Sequence, residues 1–135
     1  MSEETIHLYQ KIFNLKASIA RFYNVYGPHQ LEEDNATLIG IWDKAHREGN
    51  PFYIYGDGSK RRDFTHVEDI VDALILIIKK QVWGEIFELG WGNNFSVKEI
   101  VEMYGYSNII YKEDREGEAQ DTLCDLSLAK DLLGW

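Results

Sequence analysis

The sequence predicts an α/β fold. Amphipathic stretches with apolar residues three and four apart alternate with short runs of β-branched and aromatic residues. Capping residues precede those stretches, and Gly or Pro follows several of them. The 135 residues, 44% hydrophobic and 13% aromatic, hold enough apolar material for a core, and the whole chain, 1–135, reads as one domain. A domain of this size buries roughly two-thirds of the surface it exposes unfolded.

The first helix is expected over 3–13, where Ile6, Tyr9, Ile12 and Phe13 share one side. Residues 17–23 alternate as a strand, closed by Gly27-Pro28. A polar, acidic loop follows over 29–35. A second helix spans 36–47, with Leu38, Ile41, Trp42 and Ala45 on one face, and Gly49-Asn50-Pro51 stops it. Residues 52–55 form a short strand that runs into Gly56-Asp57-Gly58-Ser59. Glycine supplies positive φ there, while Asp and Ser bond back to the local backbone. Thr65 with Glu68 three places on reads as a capping box that opens a third helix over 67–80. This helix is apolar around much of its circumference, so burial on more than one side is expected. Its Lys79 and Lys80 suit the negative end of the helix dipole. A strand over 86–89 comes next. Ser96 with Glu99 forms a second capping box before a helix to Tyr104, followed by a strand over 108–112 and a closing helix over 126–133. This alternation is that of α/β proteins.

Charge and composition exclude several function classes. The formal net charge of −9, from 14 basic and 23 acidic side chains, argues against nucleic acid as a partner. No apolar run reaches membrane-spanning length, and the acidic N-terminus is no secretory signal. Cys124 is the single cysteine, so no internal disulfide forms, which fits a reducing, cytoplasmic setting. His7, His29 and His46 share no metal-ligand spacing with one another or with Cys124, so no metal site is expected. Lys60, Arg61 and Arg62 stand out against the acidic background, directly after the glycine turn. Arginine's planar fork suits a phosphorylated ligand. The alternative reading is a hairpin turn with solvated charges ahead of a capped helix.

Together with RFYNVYGPHQ (21–30), the stretch GDGSKRRDFTHVEDI (56–70) resembles the extended short-chain dehydrogenase/reductase family. Within it, the likeness is to NAD-dependent nucleotide-sugar epimerases and dehydratases of the UDP-glucose 4-epimerase type. FELGWGNNFSVKEIVE (87–102) resembles the strand, glycine loop and helix that follow in that family, and DREGEAQDTLCDLSLAKDLLGW (114–135) resembles its RxGD element and closing helix. The resemblance implies a C-terminal substrate-binding lobe plus edge strands of a Rossmann-like sheet, 17–23 and 86–89, with the N-terminal dinucleotide-binding half absent. No GxxGxxG follows a first strand here. The YxxxK motif that holds the family's catalytic Tyr and Lys would end just upstream of Met1. Tyr9 is not that tyrosine, because Phe13 stands where its lysine is needed. The expected function is the nucleotide-sugar-binding part of an NAD-dependent sugar 4-epimerase, inactive alone. NAD belongs to the complete enzyme and is not expected to bind this chain by itself. A 4,6-dehydratase fragment, a non-catalytic binding or assembly subunit of a split enzyme, and a structural protein with a vestigial site are the alternatives.

The resemblance also assigns site residues. Arg62 grips the nucleotide diphosphate and Arg115 clamps it from the opposite side. Glu118 stands where the family has an Asp that bonds the ribose hydroxyls. Asn24 contacts the substrate near its phosphates, Tyr55 stacks on the base, and Leu38 and Asn93 make weaker base or ribose contacts. Asp63 orients Arg62 or caps local backbone. His66 reads as a structural residue at the helix start, and Trp42, Trp83, Trp91 and Trp135 as packing aromatics. No catalytic residue is assigned. The expected partner is a nucleotide sugar such as UDP-glucose. The first helix and edge strands lack their usual neighbours, so a homo-oligomer or a pairing with a separate N-terminal half is also expected.

Overall fold

Residues 2–33 and 36–135 are described by a computed structural model. The acidic loop read over 29–35 includes Asp34 and Asn35, which lie outside the described residues. Helix α1 (Glu3–Phe13) begins where the Ser2 side chain accepts a bond from the Thr5 amide, and it ends at Asn14 with φ 52°. Glu3 ties it to the next strand by accepting two bonds from Arg21, at 2.8 and 2.6 Å. Its apolar side is not covered: Ile12 and Phe13 are 59% and 67% exposed.

Two buried clusters organise the chain. In the first, β1 (Ile19–Phe22) pairs in parallel with β6 (Ile86–Leu89), Ile19 opposite Ile86. Helix α3 (Val67–Lys80) and a closing π-helical turn (Ala129–Leu133) pack on this pair. Ile70, Ala73, Ile77, Phe87, Leu89 and Leu133 are buried there. In the second, Trp42 of α2 (Leu38–Glu48) stacks on Phe52 of β3 (Phe52–Tyr55), with ring centroids 4.7 Å apart and planes 3° from parallel. Ile54, Phe64, and Ile100 and Val101 of α4 (Val97–Tyr104) complete it. β3 pairs in parallel with β8 (Ile109–Lys112), Phe52 opposite Ile109.

The element order matches the expected alternation, with four two-residue strands added. β2 (Val25–Tyr26) runs parallel to β5 (Thr65–His66), and β4 (Arg61–Arg62) antiparallel to β7 (Phe95–Ser96). Thr65 does not cap α3. It is buried, and its hydroxyl donates to Asp63 at 3.4 Å. The cap is His66, whose Nδ1 accepts from the Glu68 amide at 3.3 Å. Helix α3 buries one face only. Ile70, Ala73 and Ile77 point inward, while Val71, Ile75 and Ile78 are exposed among the described residues. Trp42 is buried and Trp83 and Trp135 pack against the first cluster, but Trp91 is 57% exposed and is no core residue.

Candidate functional site

Side-chain alternation along β3 builds one wall of a cleft. Phe52 and Ile54 face the core, so Tyr53 and Tyr55 face away from it. The chain then turns at Gly56 and Gly58, both left-handed with φ 74° and 77°. A Cβ on Gly58 would come within 2.9 Å of the Lys98 side chain, so glycine is required there on both counts.

The chain returns as β4, where successive side chains leave on opposite sides. Arg61 turns away from the cleft. Its guanidinium donates to the Asn94 side chain at 2.8 Å, the Asn94 carbonyl at 2.7 Å and Glu99 at 2.8 Å. Arg62 turns into a cleft of about 280 Å³. The basic run is therefore not a single patch. Lys60 is buried against Asp114 and lies 3.3 Å from Glu118, Arg61 is a structural cross-link, and Arg62 alone presents its guanidinium to the cleft from this segment.

Six of the sequence-derived candidates, Asn24, Leu38, Tyr55, Arg62, Arg115 and Glu118, line this cleft. Asn24 sits between β1 and β2 with φ 26°, a left-handed conformation that Asn tolerates. Leu38 opens α2, beside the Thr37 cap. The Arg115 guanidinium lies 3.6 Å from the centre of the Tyr55 ring, a cation–π contact. The Arg115 guanidinium beside it holds the Tyr55 phenol below its ordinary pKa. Asn93 is not on the cleft wall. It lies after β6, where its side-chain oxygen accepts from the Asn94 amide at 2.9 Å.

Tyr53 and Lys60 also line the cleft. Tyr53 had a readable signal, because it sits two residues from Tyr55 on the same face of an alternating strand. The Lys112 ammonium lies 3.8 Å from the centre of the Tyr53 ring. The bond between Lys60 and Asp114 raises the lysine pKa and lowers that of the aspartate.

Asp63 does not touch Arg62. It is fully buried and accepts backbone bonds from Trp91 at 2.7 Å, Gly92 at 2.9 Å and Cys124 at 3.1 Å. Burial, with Asp63 close by, pushes the Cys124 thiol up to about 12. A larger cavity of about 590 Å³ shares Phe64 with the cleft, but its wall, which includes Tyr26, Trp91 and Met103, holds no lysine or arginine among the described residues. The lysine and arginine side chains line the smaller cleft instead.

The sequence profile of the NAD dependent epimerase/dehydratase family matches residues 1–90. The chain belongs to this family. Over 98% of its length it superposes on the UDP-glucose 4-epimerase of Thermotoga maritima, solved with UDP-glucose, at 31% identity and TM-score 0.92, covering 44% of that chain. The UDP-glucuronic acid 4-epimerase of Bacillus cereus, solved with UDP-glucuronic acid and NAD, matches at 30% identity and TM-score 0.88, with the same coverage of 98% and 44%. The UDP-N-acetyl-alpha-D-glucosaminuronate decarboxylase of Bacillus cytotoxicus is 34% identical over 100 residues, 74% of this chain and 31% of that protein. The chain thus spans less than half the length of each.

Among the described residues no helix starts directly behind a glycine turn, the arrangement that holds the pyrophosphate of NAD. Such a site uses free amides at a helix N-terminus behind a glycine turn. The Gly56–Gly58 turn leads into a strand instead of a helix.

Proposed function

We propose that this chain holds the nucleotide diphosphate of a nucleotide sugar, with UDP-glucose as the type, as the substrate-binding part of an NAD-dependent sugar 4-epimerase. The observation that carries this reading is the presence of Arg62 and Arg115, from segments far apart in sequence, on one cleft. Each guanidinium can give two parallel bonds to a phosphate group. Tyr55 offers a stacking face, Asn24 an amide near the phosphates, Leu38 an apolar contact and Glu118 acceptors for ribose hydroxyls. Similarity to 4-epimerases solved with UDP-sugars supports this ligand class. These groups grip and orient, and such contacts alone supply no chemistry. The chain is therefore inactive by itself, and NAD belongs to the complete enzyme. A second reading, a binding or assembly subunit, draws on the uncovered apolar side of α1, which suits a second copy or a separate dinucleotide-binding half. The buried free thiol of Cys124 fits a reducing, cytoplasmic compartment.

Calorimetric titration with UDP and UDP-glucose tests the reading. Both are expected to bind, and Arg62→Ala or Arg115→Ala is expected to weaken them by about tenfold or more, the loss of a charged hydrogen bond. Absence of binding by either ligand would overturn it. Turnover of UDP-glucose with added NAD is expected to stay at background, and sustained product would defeat the claim of inactivity.

A further inference from the structure

Glu118 stands inside the group of cations that an anionic ligand would need. One carboxylate oxygen lies 3.3 Å from the Lys60 ammonium and 3.7 Å from Arg62 Nη2, and the other lies 3.5 Å from Arg115 Nη1. Direct bonds between charged nitrogen and oxygen run about 2.7–2.9 Å. A long hydrogen bond from Lys60 and Coulomb attraction to both arginines therefore hold Glu118 without saturating either fork. Arg62 donates through Nη1 to the Arg61 carbonyl at 2.8 Å, which fixes the side chain and leaves Nη2 directed at Glu118. Arg115 is steadied by the Tyr55 ring. Lys60 has a closer partner in Asp114. A single carboxylate, 35% exposed, is shared by three cations.

We propose that Glu118 is an exchangeable counter-ion of the cleft. Without ligand it occupies the focus of positive charge from Lys60, Arg62 and Arg115, and an incoming diphosphate displaces it. The inference rests on reading the cleft as a diphosphate site. It adds that affinity is set by competition with a carboxylate of the chain itself. It also narrows the ligand class. An anion with one charge only replaces what Glu118 already supplies, whereas a diphosphate brings more charge and more acceptors than the carboxylate it ejects.

The test titrates inorganic pyrophosphate and UDP into the wild-type chain and into Glu118→Gln, which keeps the size and removes the charge. Pyrophosphate is expected to bind the variant about fivefold more tightly, the worth of one unit charge at this range in a solvated cleft. The gain is expected to shrink as salt is raised. Glu118→Ala should show the same gain and serves if the Gln variant does not fold. Unchanged or weaker pyrophosphate binding in the variant overturns the inference while leaving the diphosphate site standing, and a separate weakening of UDP reads only the ribose contact that Glu118 makes once displaced. Failure of both probes to bind either protein overturns the site and the inference together.

Discussion

The Asp63 carboxylate gathers amide hydrogens from Trp91, Gly92 and Cys124, and so fastens two later loops to the strand end that carries Arg62. Replacing it with Ala would leave those donors unpaired beside a buried position. Asp63→Ala is expected to cost about 3 kcal/mol or more. Asp63→Asn keeps only one of the two accepting oxygens and turns an NH2 toward the amides that the other served, so it too should destabilise. Urea denaturation measures both as a shift in midpoint at constant slope. A change for Asp63→Ala within about 0.5 kcal/mol of wild type would remove Asp63 from this role. The residue types of the cleft were legible in the sequence, but the division of labour between Arg61 and Arg62 was not. It follows from their lying in a strand of two residues, whose side chains part to opposite faces. A run that short carries no alternation to read.

Among the elements, α4 shows a cap that local spacing specifies fully. The Ser96 hydroxyl accepts from the Glu99 amide at 3.1 Å, and the Glu99 carboxylate accepts from the Ser96 amide at 2.7 Å. Ser96→Ala is expected to cost about 1 kcal/mol in thermal or urea unfolding. The Ser96 amide, aided by its hydroxyl and by Arg61, holds the Glu99 carboxyl below its ordinary pKa. The folded chain thus binds that proton less readily than the unfolded one. The cap's contribution is present above the ordinary carboxylate value and fades as pH falls through the lowered one. A stability profile of Glu99→Gln that parallels the wild type on the acid side would contradict this. The same spacing at Thr65 and Glu68 produced no box, because Thr65 is held in β5 beside β2 and α3 starts one residue later at the His66 cap. A spacing rule sees neighbours along the chain and not a competitor folded against them. The two-residue strands escaped notice for the same reason, since their pairing is with distant segments.

The molecule as a whole keeps much apolar surface uncovered. Leu8, Ile12 and Phe13 on α1, and Val71, Ile75 and Ile78 on α3, are exposed among the described residues. No helix among them is long and apolar enough to cross a membrane. Self-association is the expected outcome, seen by light scattering as a mass above that of one chain. Ile12→Lys with Phe13→Lys should return the mass to that of one chain, and a wild-type monomer at high concentration would count against the prediction. The one-sided burial of α3 was not legible, because an apolar residue reads alike whether or not anything covers it. One feature of the architecture also governs when the cleft can exist. Tyr53 and Tyr55 ride on β3, whose parallel partner β8 lies across α3 and α4 in the chain. A nascent polypeptide therefore displays both tyrosines on a bare strand edge until the residues through Lys112 have left the ribosome. During that interval the hazard is mispairing with another strand, and a holdase chaperone would find its target there.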